Sequence, residues 1–526
     1  MERIPLSLVV ITKNEQDNIE KCLESAYGWA DEIVVVDDHS SDRTVELAEK
    51  YADKILHRRM DNEGRHRNWA YDQAKHDWVF SLDADERVTP ELKEEITRTL
   101  AGTACNAFTI PRRNIIGQTW LKHGGQYPSA QLRLFSRSRS KFHYEEAEVH
   151  PLAFFEKPEG RLKSDILHYS YRDFEHFLAK INGQTTLEAQ KWVRDGRKMS
   201  LGKALWRFLD RFMRAFFRKK GHKDGFYGFM SAFFSALYQI VSYAKYWERK
   251  TGNIVTDSGW QPDSGSGPEA DDRPRAPVTV VILAKNEQAN IEACLKSVCG
   301  WADEIIVIDD ESADNTAKLA SRYADRVIVK KMENEGRHRN WAYAQARNEW
   351  VFSLDADEVL THGLRQEVRE AIAKEDNESL SVPMKTFIGR HWVRYGGWYP
   401  ANKMRIFMKS KQWYEEVEVH PRVANCVTCG VLTKDLIHKG YPDFEHFLAS
   451  LNRQTTLEAR KWIQTGRHMS FGKAAWRTID RFPRIFFGKR GYKDGFIGFM
   501  VAFFASLYQI VSYAKYWQMK KESVKP

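Results

Sequence analysis

The chain has 526 residues, 42% apolar and 29% charged, with a net charge of +10. That length accommodates two or three domains with full cores, and the composition excludes a disordered, collagenous or disulfide-scaffold chain. The positive balance points to anionic partners without choosing among phosphate ligands, nucleic acid and membrane headgroups.

Met1 to Ile11 has no charged start followed by a long apolar run, so no signal peptide is expected. Leu6 to Thr12 (LSLVVIT) is a short β-branched run and predicts a buried strand. Asn18 to Ala26 places Ile19, Cys22, Leu23 and Ala26 on one helical face. Glu32 to Val36 predicts a second strand that ends in Asp37-Asp38. Ser41-Asp42 offers a cap for a helix through Tyr51. Lys54 to Arg58 predicts a third strand, Arg65 to Ala74 a helix, and Trp78 to Leu82 a fourth strand running into Asp83-Ala84-Asp85. Thr89-Pro90 reads as an N-cap followed by proline at the first helical position. Gln131 to Phe135 alternates like a strand, and the chain turns helical from Asp173 through Phe226 to Trp247.

This alternation predicts an α/β fold with a parallel, doubly wound sheet. Such sheets bind ligands at the carboxyl ends of their strands, where Lys13-Asn14-Glu15, Asp37-Asp38, Asp83 and Asp85 gather. No stretch reaches the roughly 18 uninterrupted apolar residues of a membrane span.

The whole pattern is then written again. Asn62 to Tyr71 (NEGRHRNWAY) recurs unchanged at Asn334 to Tyr343, 272 residues later. VFSLDADE at Val79 recurs at Val351, and LYQIVSYAKYW at Leu237 recurs at Leu507. A period this long is a domain, not the roughly 20–50 residues of a solenoid repeat. The expected organisation is one domain over 1–250, a Gly/Ser/Pro/Asp-rich flexible linker over 251–276, and a second domain over 277–526. Of six cysteines only Cys22 and Cys294 correspond, so reduced thiols of a cytosolic chain are expected in place of a disulfide framework. Cys426 and Cys429 form a lone CxxC with no second pair nearby, which argues against a zinc site.

Asp83-Ala84-Asp85 is the strongest chemical signal. Two carboxylates two apart, just past an apolar strand, suit a hard divalent cation that also binds phosphate oxygens. The competing reading is a solvated strand end, and the repetition as Asp355 and Asp357 weighs against it.

The order TKNE, VVVDDHSSDRT, NEG…RNWA and VFSLDADE resembles the inverting family 2 glycosyltransferases with a GT-A fold. Within that family it is most similar to the branch containing the lipopolysaccharide inner-core β-1,4-glucosyltransferases. The specific part covers residues 6–90 and 278–362, and a weaker likeness extends through QLRLF…VHP, LHYS and LYQIVSYAKYW. The resemblance implies two tandem GT-A domains, each with a C-terminal helical extension. It places Glu15 and Asp38 on the nucleoside, Asp38 facing the uracil edge if the donor is UDP-linked. Arg67 falls at the base or diphosphate, Asp83 near the ribose and Asp85 on Mg²⁺ or Mn²⁺. The counterparts are Glu287, Asp310, Arg339, Asp355 and Asp357. His168 and His438 follow apolar strand-like runs and are candidate late metal ligands, the alternative being packed structural histidines.

An inverting transfer needs a base for the acceptor hydroxyl. Candidates lie in Tyr144 to Pro151 (YEEAEVHP) and Tyr414 to Pro421 (YEEVEVHP). Glu146 and Glu416 match the branch's acid best, with Glu145 and Glu415 as alternates. Proline follows Val-His here, where the branch often has glutamate. Arg65-His66 and Arg337-His338 replace its usual small residues, which leaves the donor open. Arg207, Arg211, Arg214, Arg218, Lys219, Lys220 and Lys223 interleave with Trp206, Phe208, Phe212, Phe216 and Phe217. This spacing suits an interfacial helix on an anionic leaflet, against the alternative of a packed helical subdomain. No nucleic-acid motif accompanies it.

The expectation is therefore an enzyme of two catalytic modules. Each transfers sugar from a nucleotide-sugar donor to a lipopolysaccharide-core or other lipid-linked glycan, at the inner face of the cytoplasmic membrane. One catalytic copy beside a non-catalytic scaffold copy is the alternative. A nucleotidyltransferase ranks lower, because Thr12-Lys13-Asn14-Glu15 is not a Gly-rich basic loop.

Overall fold

The structure, a computed structural model, describes residues 3–146, 152–255, 276–374, 376–416, 423–424 and 428–523. These form two compact units, Met1–Tyr243 and Ala244–Pro526. The sequence-based linker falls almost wholly outside the described residues, as does Cys426.

In the first unit β1 (Ile4–Thr12), α1 (Ile19–Glu24), β2 (Ala30–Asp37), α2 (Thr44–Ala48), β3 (Lys54–His57), α3 (Glu63–Asp72) and β4 (Trp78–Asp83) alternate as predicted. They are followed by β5 (Glu86–Val88), α4 (Pro90–Leu100), β6 (Ala107–Ile110), β7 (Arg112–Ile116), β8 (Thr119–Trp120) and β9 (Gln131–Ser136). Short elements come next: α5 (Arg137–Ser140), β10 (His143–Tyr144), β11 (Ala153–Phe154), β12 (Glu159–Arg161) and β13 (Ile166–Tyr171). The unit closes on helices α6 (Phe174–Arg194), α7 (Leu201–Met213) and α8 (Gly225–Thr251).

The main sheet runs β12-β6-β9-β4-β1-β2-β3. Strands β3, β2, β1 and β4 are parallel, and β9 enters antiparallel to β4 and β6. The register sets the site: Thr12 pairs with Asp37 and Ile11 with Asp83, so three strand ends open side by side. A smaller sheet, β5-β13-β7-β8, stands beside them and brings His168 of β13 opposite Glu86 of β5.

Strand alternation explains the two layers. Leu6, Leu8 and Val10 of β1 pack with Ile19, Cys22 and Leu23 of α1 and Leu92 and Ile96 of α4. Val9, Val34 and Val36 face the other way, onto Ala70 and Tyr71 of α3. The sheet is thus buried on both faces, as its apolar strands require.

Local chemistry corrects some boundaries. Helix α3 begins at Glu63, earlier than Arg65, because Asn62 caps it by accepting Arg65 N at 3.0 Å. Asp42 takes the Thr44 amide at 3.0 Å, so α2 starts at Thr44, and it ends at Ala48 well short of Tyr51. Thr89 does cap α4, accepting Leu92 N at 3.2 Å with Pro90 at the first position.

The second unit repeats this order, with parallel strands Ala276–Ala284, Ala302–Asp309, Arg326–Val329 and Trp350–Asp355 at the centre of its own sheet. Its last helix, Gly495–Ser523, is long and apolar enough to cross a membrane by length and composition. Met500, Phe504, Leu507 and Val511 of that helix are nevertheless buried inside the unit.

The end of α8 from Ala244 belongs to the second unit, where Glu248 Oε2 accepts Phe444 N at 2.8 Å. Separately expressed residues 1–250 and 244–526 are therefore expected to unfold cooperatively, each having its own core. Residues 277–526 alone should unfold at lower denaturant, since the buried Phe444 amide loses its acceptor. Equal denaturation midpoints for 244–526 and 277–526 would contradict this assignment.

Candidate active site

Two left-handed residues shape the loops at the strand ends. Asn14 has φ +53° and His39 has φ +50°, conformations that asparagine and histidine tolerate better than most residues. Asn14 is locked there: its Oδ1 accepts Ser41 N and its N donates to Ser40 Oγ, both at 2.8 Å. The turn presents Glu15, whose N donates to Thr44 Oγ1 at 2.7 Å and whose Oε2 accepts Asn18 Nδ2 at 2.8 Å. Burial raises the Glu15 carboxyl above its ordinary range, and pushes that of Glu287 up to about 7 against the opposing Asn290 hydrogen bond. Asp38 accepts Lys13 Nζ at 2.8 Å and Met60 N at 2.9 Å. Burial works against its ionisation, but these two donors prevail and hold its carboxyl low.

The DxD turn is built on charge. Asp83 Oδ1 lies 3.6 Å from Arg67, and Asp83 Oδ2 accepts from Arg133. The fully buried Glu86 accepts Arg133 at 2.7 Å, Arg112 at 3.2 Å and the Asp83 amide at 3.0 Å. Burial opposes the Asp83 charge, yet Arg133 and Arg67 hold its carboxyl far below the usual range. Two residues on, Asp85 faces His168 Nε2 at 3.5 Å and Lys180 Nζ at 3.2 Å. His168 Nδ1 sits 2.7 Å from Asn114 Oδ1, a contact that orients the ring with Nε2 toward Asp85.

This donor set fits a hard or borderline divalent cation. Among the described residues no group of three or more His, Cys, Asp or Glu side chains converges to hold a metal. Of the described residues Asp85 and His168 fit as ligands, and the remaining ones would be diphosphate oxygens and water, the habit of Mg²⁺ and Mn²⁺.

These groups line one cleft of about 880 Å³. It brings together Glu15, Asp38, Arg67, Asp83, Asp85 and His168, all singled out in the sequence. It adds Lys13, Arg133 and Tyr144, whose ring lies 5.7 Å from the Arg67 guanidinium. Thr12 Oγ1 and both ring nitrogens of the buried His66 line the same cleft without a hydrogen-bond partner.

The second unit repeats the geometry. Asp310 accepts Lys285 at 2.8 Å, Asp355 accepts Arg405 at 2.7 Å with Arg339 at 3.9 Å, and Asp357 lies 3.2 Å from His438. One difference touches the DxD: Ser450 stands where the first unit has Lys180.

The base candidates stand apart. Glu145 and Glu146 are exposed and do not line the cleft; Glu146 pairs with Arg65 at 3.1 Å. Glu415 and Glu416 are likewise exposed, with Glu416 3.2 Å from Arg337. Residues 147–151 and 417–422, which follow them, lie outside the described residues. Sequence reasoning missed Arg133 and Lys180. The available signal for Arg133 was an arginine inside an alternating strand, QLRLF, written again as KMRIF.

A model of the glycosyl transferase family 2 matches residues 7–157 and 279–422, more than half of the chain. The chain belongs to that family. It is a tandem duplication of the family's domain, two GT-A-type α/β units each ending in helices. The lipopolysaccharide core biosynthesis glycosyltransferase LpsC of Rhizobium meliloti (strain 1021) is 28% identical over 255 residues, covering 47% of this chain and 93% of that protein. An uncharacterized glycosyltransferase of Rickettsia bellii (strain RML369-C) is 28% identical over 235 residues, covering 42% of this chain and 80% of that protein. Among solved structures, S. aureus TarS 1-349 matches at 15% identity and TM-score 0.25, over 48% of this chain and 92% of that one. The mannosyltransferase PcManGT from Pyrobaculum calidifontis, in complex with GDP-Man and Mn²⁺, matches at 14% identity and TM-score 0.29, over 52% and 94%.

Arg133 is the keystone of the DxD turn, and its loss leaves Glu86 charged, buried and short of its closest cation. Arg133→Met in residues 1–250 should cost about 3–5 kcal/mol, the usual penalty for half of a buried ion pair. Urea denaturation measures it, and an unchanged midpoint would contradict the assigned role.

Proposed function

We propose that each unit transfers a sugar from a nucleoside diphosphate donor, with inversion, to a lipopolysaccharide-core or other lipid-linked glycan. The observation that carries this reading is the cleft at the strand ends of the first unit, whose charged donor-side residues recur in the second. In it Lys13, Arg67 and Arg133 gather positive charge around Asp38, Asp83 and Asp85. Lysine and arginine donors there suit a diphosphate leaving group, whose charge grows in the transition state. A bound Mg²⁺ or Mn²⁺ held by Asp85 and His168, or Asp357 and His438, would neutralise that charge as a Lewis acid. Asp38 and Asp310 present carboxylates to the nucleobase. Glu146 and Glu416 are our assignment for the base that takes the acceptor proton. Both are exposed carboxylates that open the segment next to Tyr144 or Tyr414.

The test is nucleoside diphosphate release from a panel of nucleotide sugars with a lipid-extracted glycan acceptor. Release should fall by orders of magnitude in EDTA and in the Asp85→Ala/Asp357→Ala double variant. Glu146→Gln/Glu416→Gln should lose transfer, about 10²-fold or more, while keeping nucleotide affinity. Full turnover in EDTA or in the double aspartate variant contradicts the metal assignment.

The location we propose is the inner face of the cytoplasmic membrane, with the protein bound peripherally to an anionic leaflet. Helix α7 supports it: Trp206 is 70% and Leu209 55% exposed, with Met213 and Phe217 continuing the ridge between arginines. The second unit repeats the ridge in Trp476 and Ile479, 68% and 67% exposed. Each basic side chain near an anionic surface contributes on the order of 1 kcal/mol, a term that weakens with salt. Co-sedimentation with phosphatidylglycerol vesicles should exceed that with phosphatidylcholine, fall at high salt, and drop in Trp206→Ser/Trp476→Ser. Recovery in the supernatant under every condition would mean that the ridges serve another purpose.

A further inference from the structure

A second cavity, of about 640 Å³, opens beside the first unit's donor cleft and shares Arg112, His168 and Gln184 with it. Helices α6, α7 and α8 wall it, and Arg207 and Arg211 of α7 point cationic groups into it. Its floor is polar and internally ordered. Asn114 Nδ2 donates to the Gln126 carbonyl at 2.7 Å, and Gln126 Nε2 donates to Ser231 Oγ at 3.0 Å. Asn114 also meets His168, and Ser170 Oγ lies 3.0 Å from the same imidazole, so the floor is tied to Asp85.

The duplication provides an internal comparison. The donor side keeps its chemistry: Lys13, Asp38, Arg67, Asp83, Asp85 and Arg133 recur as Lys285, Asp310, Arg339, Asp355, Asp357 and Arg405. The arginine rim also recurs, as Arg477 and Arg481. The floor does not. Arg112, Gln126, Ser170, Ser231 and Ser235 become Met384, Trp398, Gly440, Val501 and Ala505. Trp398 packs edge-on against Phe447 at 6.0 Å and Tyr441 at 6.4 Å, placing an indole where the first unit has an amide. The polar chain from the histidine is cut back to one contact, Thr386 Oγ1 at 3.2 Å from His438 Nδ1. Four of these replacements, at Gln126, Ser170, Ser231 and Ser235, line this cavity and not the donor cleft, whose charged residues are kept, and they point to selection for a different ligand there.

We propose that this cavity is the acceptor site of the first unit, built for a hydroxyl-rich glycan carrying an anionic substituent. The second unit uses the same donor on a different acceptor, one that turns an apolar face to Met384, Trp398 and Val501. The proposal rests on the glycosyltransferase reading above. Its physical basis is that buried polar groups reject a ligand that leaves them unpaired, and an apolar floor rejects a ligand whose hydroxyls it desolvates. The two units are therefore not redundant: the first unit cannot substitute for the second on its acceptor.

The experiment uses the full chain with one unit silenced at a time, Asp357→Ala leaving the first and Asp85→Ala the second. Each is assayed with one oligosaccharide acceptor in phosphorylated and dephosphorylated forms, and with the same glycan bearing an alkyl aglycone. The Asp357→Ala protein should prefer the unalkylated form and the Asp85→Ala protein the alkylated form, each by about tenfold or more in kcat/KM, and both should prefer the phosphorylated glycan because both keep the arginine rim. Both should share one donor preference. Exchanging the floors, Gln126→Trp/Ser231→Val in one protein and Trp398→Gln/Val501→Ser in the other, should move each preference toward its counterpart without changing nucleotide affinity. The same acceptor ranking in both single-unit proteins overturns the proposal. If neither releases nucleoside diphosphate with any acceptor, the catalytic reading fails instead. Direct titration of the three glycans into the same two proteins then still decides between one acceptor specificity and two.

Discussion

Everything at the candidate site depends on a buried charge cluster behind the DxD turn. Glu86 carries its carboxylate at zero exposure, and Arg133 reaches across from the antiparallel strand to bridge it to Asp83. Glu86 also accepts the Asp83 amide, so one acid fixes both backbone and side chain of the turn. The second unit repeats the arrangement with Glu358, Arg405 and the Asp355 amide. Ions are buried at a cost that only good geometry offsets, and the return here is a fixed direction for Asp83 and Asp85. With that direction set, Arg67, His168 and the strand-end loops need only close around it.

Much of this was legible in the chain and some was not, for physical reasons. The apolar strands, the Thr89-Pro90 start and the paired acids could be read because their signals are local. Glu86 was in plain view within VFSLDADE, yet nothing local distinguishes an acid that binds a ligand from one that anchors a turn. Arg133 is 50 residues from Asp83, and only the entry of β9 beside β4 brings them together. The glutamates after Tyr144 are marked by motif position alone, and Glu146 stands exposed beside Arg65 at 3.1 Å. Cavity floors assembled from β7, the loop before β9 and α8 carry no sequence period at all. Only the second copy, with Trp398 for Gln126, makes their meaning visible.

Helix α7 joins the two halves of the account. Its Trp206 and Leu209 stand outward, while Arg207 and Arg211 line the cavity beside the donor cleft. On the proposed reading, one helix meets the leaflet with one face and the acceptor's anionic group with the other. A lipid-linked glycan then reaches the reaction centre without leaving the surface, and the soluble donor enters from the strand-end side. On the same reading the duplication adds a second such station on the chain, which would raise surface residence because the second contact is intramolecular.

The central claim is that both units are intact donor sites. Calorimetric titration of nucleoside diphosphate with Mn²⁺ into the full chain tests it most directly. Two equivalents are expected, falling to one when Asp83 alone or Asp355 alone is replaced by alanine. A stoichiometry of one in the unaltered chain would contradict it and leave one unit as a scaffold.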